Sequence, residues 1–237
     1  MTELAKITKD LNSLANKPQA FQLQRFFKTG KGQYGEGDIF LGLKVPETRK
    51  IAKKYVDLEL KDVSVLLKNK IHEFRLAALL ILVAKYQGTN DQKQKTKIVD
   101  FYLKHTAHIN NWDLVDLSVG KILGDYLLLN EGKTKILDKL AKSKNLWERR
   151  MAMIATFAFI YKGRADEALF IAKKLLHDEH DLMHKAVGWM LREVGKRVDK
   201  KKLISFLDEH SKDMPRIALR YAIEHFSPKE REHYLKK

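Results

Sequence analysis

The chain has 237 residues, 44% of them hydrophobic, which is enough to bury a core and excludes a disordered polypeptide. Its 46 lysines and arginines outnumber 30 acidic residues, leaving +16 at pH 7 and pointing to a polyanionic partner such as nucleic acid. It contains no cysteine, so disulfides, thiol nucleophiles and cysteine metal sites are ruled out.

The opening stretch MTELAKITKDLNSLANK mixes polar and acidic residues and has no apolar signal-peptide core. No apolar run approaches the roughly 20 residues that cross a bilayer, so a soluble, cytoplasmic protein with no membrane partner is expected. Next comes a connection, Lys28-Thr-Gly-Lys-Gly-Gln-Tyr-Gly-Glu-Gly-Asp-Ile-Phe-Leu-Gly42, with glycines at 30, 32, 35, 37 and 42. It lacks the strand context and terminal GK[ST] of a nucleotide loop, and reads as a loop closing onto a helix that starts at Val45-Pro46-Glu47.

Downstream, apolar residues recur at helical spacing. Ile71–Gln87 carries a stripe of Phe74, Ala77, Ala78, Ile81, Leu82 and Tyr86, with Gly88 as a stop. Trp147–Lys162 repeats the habit with Met151, Ile154, Ala155, Ala158 and Phe159, and Met183–Val194 does so with Val187, Met190 and Leu191. Second helices are predicted at Lys95–Lys104, Lys133–Lys142 and Ala165–Leu176. Several helix openings resemble one another: Glu73-Phe-Arg-Leu-Ala-Ala78, Glu148-Arg-Arg-Met-Ala-Met153, His184-Lys-Ala-Val-Gly-Trp189 and Pro215-Arg-Ile-Ala-Leu-Arg220. With Trp112 between, the anchors Arg75, Trp112, Arg150, Lys185 and Arg216 fall roughly 31–38 residues apart, the period of helical-hairpin repeats. The expected architecture is all-α: residues 1–237 as one HEAT-like α-solenoid domain of stacked antiparallel helix pairs with a concave basic face.

The strongest chemical signal is Asn110-Asn-Trp-Asp-Leu-Val-Asp-Leu117. Asp113 and Asp116 are three apart, and Trp112 and Asp116 four apart, so each pair shares a helix face. Such carboxylates serve either chemistry or, as with Asp113 near a helix start, capping and charge complementation. Leu146-Trp-Glu-Arg-Arg150 places Arg149 and Arg150 at a repeat-helix start, and Lys185-Ala-Val-Gly-Trp-Met-Leu-Arg-Glu193 sets Trp189 four residues past Lys185. Arg150 and Lys185 are candidate phosphate contacts, Arg192 beside Glu193 reads as an ion pair, and each tryptophan is equally a core residue. Glycine before Trp189 suits close approach of another surface or of a packed helix. His177, His180 and His184 span an inter-helix connection without an HExxH pattern and read as polar loop rather than metal ligands.

Taken together, Tyr34-Gly-Glu-Gly-Asp-Ile-Phe-Leu-Gly-Leu-Lys-Val-Pro-Glu-Thr-Arg49, Trp112-Asp-Leu-Val-Asp116, Trp147-Glu-Arg-Arg150 and Gly188-Trp-Met-Leu-Arg-Glu193 resemble the AlkD family of DNA alkylation repair glycosylases. The resemblance runs from about residue 20 to 226, in the family's order. It implies a HEAT-like solenoid that grips duplex DNA and hydrolyses the N-glycosidic bond of cationic bases such as 7-methylguanine and 3-methyladenine. By motif match it implies Asp116 as the catalytic aspartate, Trp112 and Trp189 as cleft tryptophans and Arg150 as cleft arginine, with Asp113 at a less central position. A tyrosine of the family's N-terminal cleft is replaced here by Phe26 or Phe27.

The mechanism so implied needs no metal and no organic cofactor. Alkylation has already made the base a good leaving group, Asp116 would stabilise the oxocarbenium-like sugar, and Trp112 and Trp189 would lie against sugar and lesion. Arg150, with Lys185, Arg149 and Arg192 as further DNA contacts, would hold phosphates, and the protein is expected to act as a monomer on alkylated double-stranded DNA. A non-catalytic HEAT-like module binding nucleic acid or an acidic protein fits composition and periodicity equally well. A lysine Schiff-base lyase is a third class, though no lysine stands out for it.

Overall fold

A computed structural model describes residues 1–130, 132 and 134–236. Among these the chain is helical, with a lone parallel bridge between Ile39 and Ile71 as its sheet-like contact. It divides into two compact units, Met1–Ser118 and Val119–Lys237. No helix among the described residues is long and apolar enough to cross a membrane.

The first unit runs α1 (Glu3–Ser13), α2 (Lys17–Phe26), α3 (Val45–Ala52), α4 (Leu60–Leu67), α5 (His72–Gln87), α6 (Gln92–Lys104) and α7 (Trp112–Val119), whose last residue crosses the boundary. Local chemistry starts these helices. Thr2 accepts the Ala5 N–H, Asn16 accepts that of Gln19 ahead of Pro18, and Glu47 accepts the Lys44 N–H beside Pro46. The sequence predicts a single apolar stripe on α5, yet Leu76, Leu79, Leu80 and Val83 are buried as well. The cause is that α1, α3, α4 and α6 all pack on this helix, so it has no solvent face from His72 to Val83.

The second unit opens with a π-helical turn at Gly120–Gly124 and continues as α8 (Asp125–Leu129), α9 (Lys135–Ala141), α10 (Leu146–Ala155), α11 (Phe157–Tyr161), α12 (Asp166–Lys174), α13 (Asp181–Arg197), α14 (Lys200–His210), α15 (Arg216–Ala222) and α16 (Pro228–Lys236). Of the helix expected at Lys133–Lys142, Lys133 lies outside the described residues, and the remainder forms α9. The continuous helix expected over Trp147–Lys162 is broken at Thr156, whose hydroxyl donates to the Met153 carbonyl at 2.7 Å and competes with the helical ladder. Gly188 is occupied by helix packing: a Cβ there would lie 2.4 Å from the Ala218 carbonyl oxygen, which is how closely α13 and α15 approach.

Within each unit consecutive helices pack in pairs, α4 on α5, α9 on α10, α12 on α13 and α13 on α14, and the all-α architecture expected from the sequence is present. The register of the helix openings differs by one residue from two of the sequence anchors, Arg150 and Lys185. Arg75, Arg149 and His184 each stand fourth in their helix, and each donates to the carbonyl six residues back, in Asn69, Ser143 and Asp178. Arg75 and Arg149 also reach the carbonyl five back, in Lys70 and Lys144. The repeated basic residue is thus a clasp on the preceding loop, and it selects Arg149 rather than Arg150 as the partner of Arg75.

Candidate functional site

In the first unit, α7 carries the motif residues and the glycine-rich connection wraps to meet it. Asn111 is fully buried and accepts the Trp112 N–H at 2.8 Å, setting the first turn of α7. Trp112 and Asp116 are half-buried one helical turn apart, and Asp113 is buried on the inner side. The Trp112 indole stacks on Phe27 at 5.2 Å between ring centroids and meets Phe26 edge-on at 5.9 Å. Phe26 is 63% exposed whereas Phe27 is buried, so of the two phenylalanines only Phe26 presents its ring to solvent. Burial pushes the Tyr102 hydroxyl upward, and the Asp116 charge adds to that push.

Beneath this lies a charge network that spacing gave no sign of. His72 Nε2 is 2.8 Å from Asp113 Oδ2, and His72 Nδ1 is 3.3 Å from Asp38 Oδ2. Arg75 donates to Asp38 Oδ1 at 2.6 Å and Asn111 donates to Asp38 Oδ2 at 3.2 Å. All five residues are buried. Burial alone would lower His72, but the Asp113 carboxylate and hydrogen bonds to both aspartates push it up to about 9. Burial alone would raise Asp38, but the His72 hydrogen bond and the Arg75 charge hold it below its ordinary value. Two carboxylates therefore face an imidazolium and a guanidinium, and each buried charge has an opposite partner.

The glycine-rich connection is what delivers Asp38. Glu73, 1% exposed, accepts the N–H groups of Leu41, Gly42 and Leu43 at 2.9, 2.8 and 3.2 Å, and Ile39 accepts the His72 N–H at 2.8 Å. Gly42 has φ +94°, and a Cβ there would sit 2.1 Å from the Asn16 carbonyl oxygen, so only glycine fits. Phe40 then completes a pile of rings: Trp112 on Phe27, Phe27 on Phe40 at 5.1 Å, Phe40 on His72 at 4.5 Å. Asp38, His72, Glu73 and Arg75 were missed as site residues because their partners in the network lie 30 to 73 positions away. The available signal was three polar residues, His72, Glu73 and Arg75, opening a helix that is apolar from Leu76 to Ala84.

In the second unit, the expected DNA contacts are engaged to different degrees. The Arg149 guanidinium grips Asp178 (Nε to Oδ2 2.6 Å) besides the two loop carbonyls, so its donors serve the fold. Arg150 is 5% exposed and donates to the Leu182 carbonyl at 2.6 Å. Lys185 keeps a side chain 40% exposed, 3.1 Å from Asp181. Arg192 pairs with Glu193 at 3.0 Å and with Glu224, and Arg197 takes the other Glu193 oxygen at 2.6 Å. Trp189 is half-buried with Phe157 at 6.2 Å, while Trp147 is buried in the core. His180 accepts the Leu182 N–H as a helix cap and His184 bonds the Asp178 carbonyl. Among the described residues no three His, Asp or Glu are grouped to hold a metal ion.

Among curated proteins none matches the chain. A solved structure described as a predicted DNA alkylation repair enzyme from Enterococcus faecalis shares the fold, with TM-score 0.71 and 17% identity over 90% of this chain and 97% of that one. The family model described as DNA alkylation repair enzyme matches residues 7–226. With nearly the whole sequence inside that match, the chain belongs to the DNA alkylation repair enzyme family.

Proposed function

We propose that the protein is a DNA glycosylase that hydrolyses the N-glycosidic bond of cationic alkylated bases, 7-methylguanine and 3-methyladenine, in duplex DNA. The observation that carries the reading is the pairing on α7 of a half-buried carboxylate, Asp116, with a half-buried indole, Trp112, one turn away. A carboxylate so placed can face a developing cation without being lost to bulk water. In the reaction the C1′–N bond breaks with its electron pair going to the base, which leaves neutral. The sugar carries the positive charge, water adds at C1′, and its proton passes to solvent. Asp116 stabilises the oxocarbenium-like sugar and orients the water, and the Trp112 π-face favours the cationic form.

The +16 charge supplies the attraction to duplex DNA. Of the four expected contacts Arg149, Arg150, Lys185 and Arg192, Lys185, half-exposed and held by one exposed aspartate, is the one best placed to exchange its partner for a phosphate. Arg150 and Arg192 would act from within their hydrogen bonds, Arg149 as the clasp that keeps the α10 start in place, and Trp189 as a half-buried ring of the second unit. The test is release of free base from methylated duplex by purified protein, with Asp116→Asn alongside. Release that disappears in the variant while DNA affinity stays supports the reading. Salt-sensitive binding with no release from the parent protein would leave a non-catalytic DNA-binding module.

A further inference from the structure

We infer that His72 is the positioning residue of the lesion site, holding Trp112 and the Asp116 face of α7 in place through Asp113 and a stack of aromatic rings. The inference rests on the glycosylase reading of that site. His72 touches α7 in two ways. Its Nε2 binds Asp113, in the first turn of α7, at 2.8 Å. Its ring packs on Phe40 at 4.5 Å, and through Phe27 that pile ends on the Trp112 indole. On the far side Asp38, from the glycine-rich connection, binds Nδ1 at 3.3 Å and is itself fixed by Arg75 and Asn111.

The charged groups facing His72 are Asp38 from the connection, Asp113 from α7 and Arg75 from its own helix, while the Glu73 carboxylate is spent on the backbone at 41–43. Packing alone does not call for this arrangement, because well-packed apolar side chains fill such a space at no greater cost than buried ions. What an imidazolium adds is two donors on opposite edges of one rigid ring, and so a fixed distance between two carboxylates on separate segments. Oxocarbenium stabilisation depends on carboxylate placement to a fraction of an ångström, which is the property such a brace controls. The imidazolium against the Phe40 face adds a cation–π contact at the base of the pile. The glycine-rich connection thereby acquires a role: it carries the outer carboxylate of the brace.

The test compares parent, His72→Gln and Asp38→Asn in single-turnover release of 3-methyladenine from duplex DNA between pH 6 and 10, against an enzyme-free control. Affinity for unmodified duplex and the far-ultraviolet spectrum are read in parallel. The expected result is a release rate down about tenfold or more in folded His72→Gln, with affinity for unmodified duplex within about twofold. The parent rate should fall as pH rises through about 9, and that fall should be missing from His72→Gln. A rate within about twofold of parent in the folded variant, or equal losses of rate and affinity, overturns the inference. If His72→Gln does not fold, Asp38→Asn and the parent pH profile decide, a profile flat to pH 10 being the refuting result. If the parent releases no base, the glycosylase reading fails on its own. The brace is then judged by hydrogen exchange: faster exchange of α7 amides in Asp38→Asn supports it, and unchanged exchange refutes it.

Discussion

Raising the pH should destabilise the first unit selectively, and the size of the effect follows from the buried imidazole. His72 goes from an ordinary 6.5 to about 9 in the folded chain. Because the folded value is the higher one, the stabilisation is complete below 6.5 and disappears as pH rises through 9. At about 1.4 kcal/mol per tenfold change in proton affinity, it amounts to about 3 kcal/mol. Asp38 is lowered and acts only in acid, His108 and His180 are lowered and act below 6.5, and the raised tyrosines act above 10. The interval from 6.5 to 9.5 therefore isolates His72. Trp112 is the sole tryptophan before residue 119, so its fluorescence in a Trp147→Phe, Trp189→Phe chain reports the first unit. With a urea dependence of about 1–3 kcal/mol per molar, the midpoint should fall by at least about 1 M between pH 6 and 9.5. A constant midpoint, or the same slope in His72→Gln, would refute the reasoning.

Gly42→Ala forces a left-handed residue and a collision with the Asn16 carbonyl, so thermal unfolding should show a loss of at least about 2 kcal/mol. Glu73→Gln leaves three backbone N–H groups with one amide oxygen, and denaturant titration should show about 2 kcal/mol lost. Arg149→Ala should lower the stability of the second unit and leave the salt dependence of DNA binding unaltered, since its donors close a loop. Lys185→Ala should do the opposite, reducing the slope of log affinity against log salt by about one without moving the unfolding midpoint.

Periodicity, prolines and caps were enough to read the helices, because amphipathic spacing and N-terminal capping act over three or four residues. Trp112, Asp113 and Asp116 stood out for the same reason: they lie within one turn and a half of α7. The recurrence of similar helix openings was legible too, but its register was not. Arg149 and Arg150 are adjacent in sequence, and only the carbonyls that each guanidinium reaches distinguish the clasp from the buried neighbour.

Tertiary structure alone decided the rest. Asp113 faces inward to His72 while Asp116 stays half-buried, though both belong to one motif. Phe26 is exposed and Phe27 sits in the ring pile, a difference made by the turn of chain after α2. The glycine-rich connection reads as an undirected loop until Glu73 gathers its amides and Asp38 enters the brace. Composition and local spacing set which segments become helices and that the chain carries a large positive charge. Which polar groups are buried together depends on contacts dozens of residues apart, where burial makes each unpaired charge costly and so selects the partner.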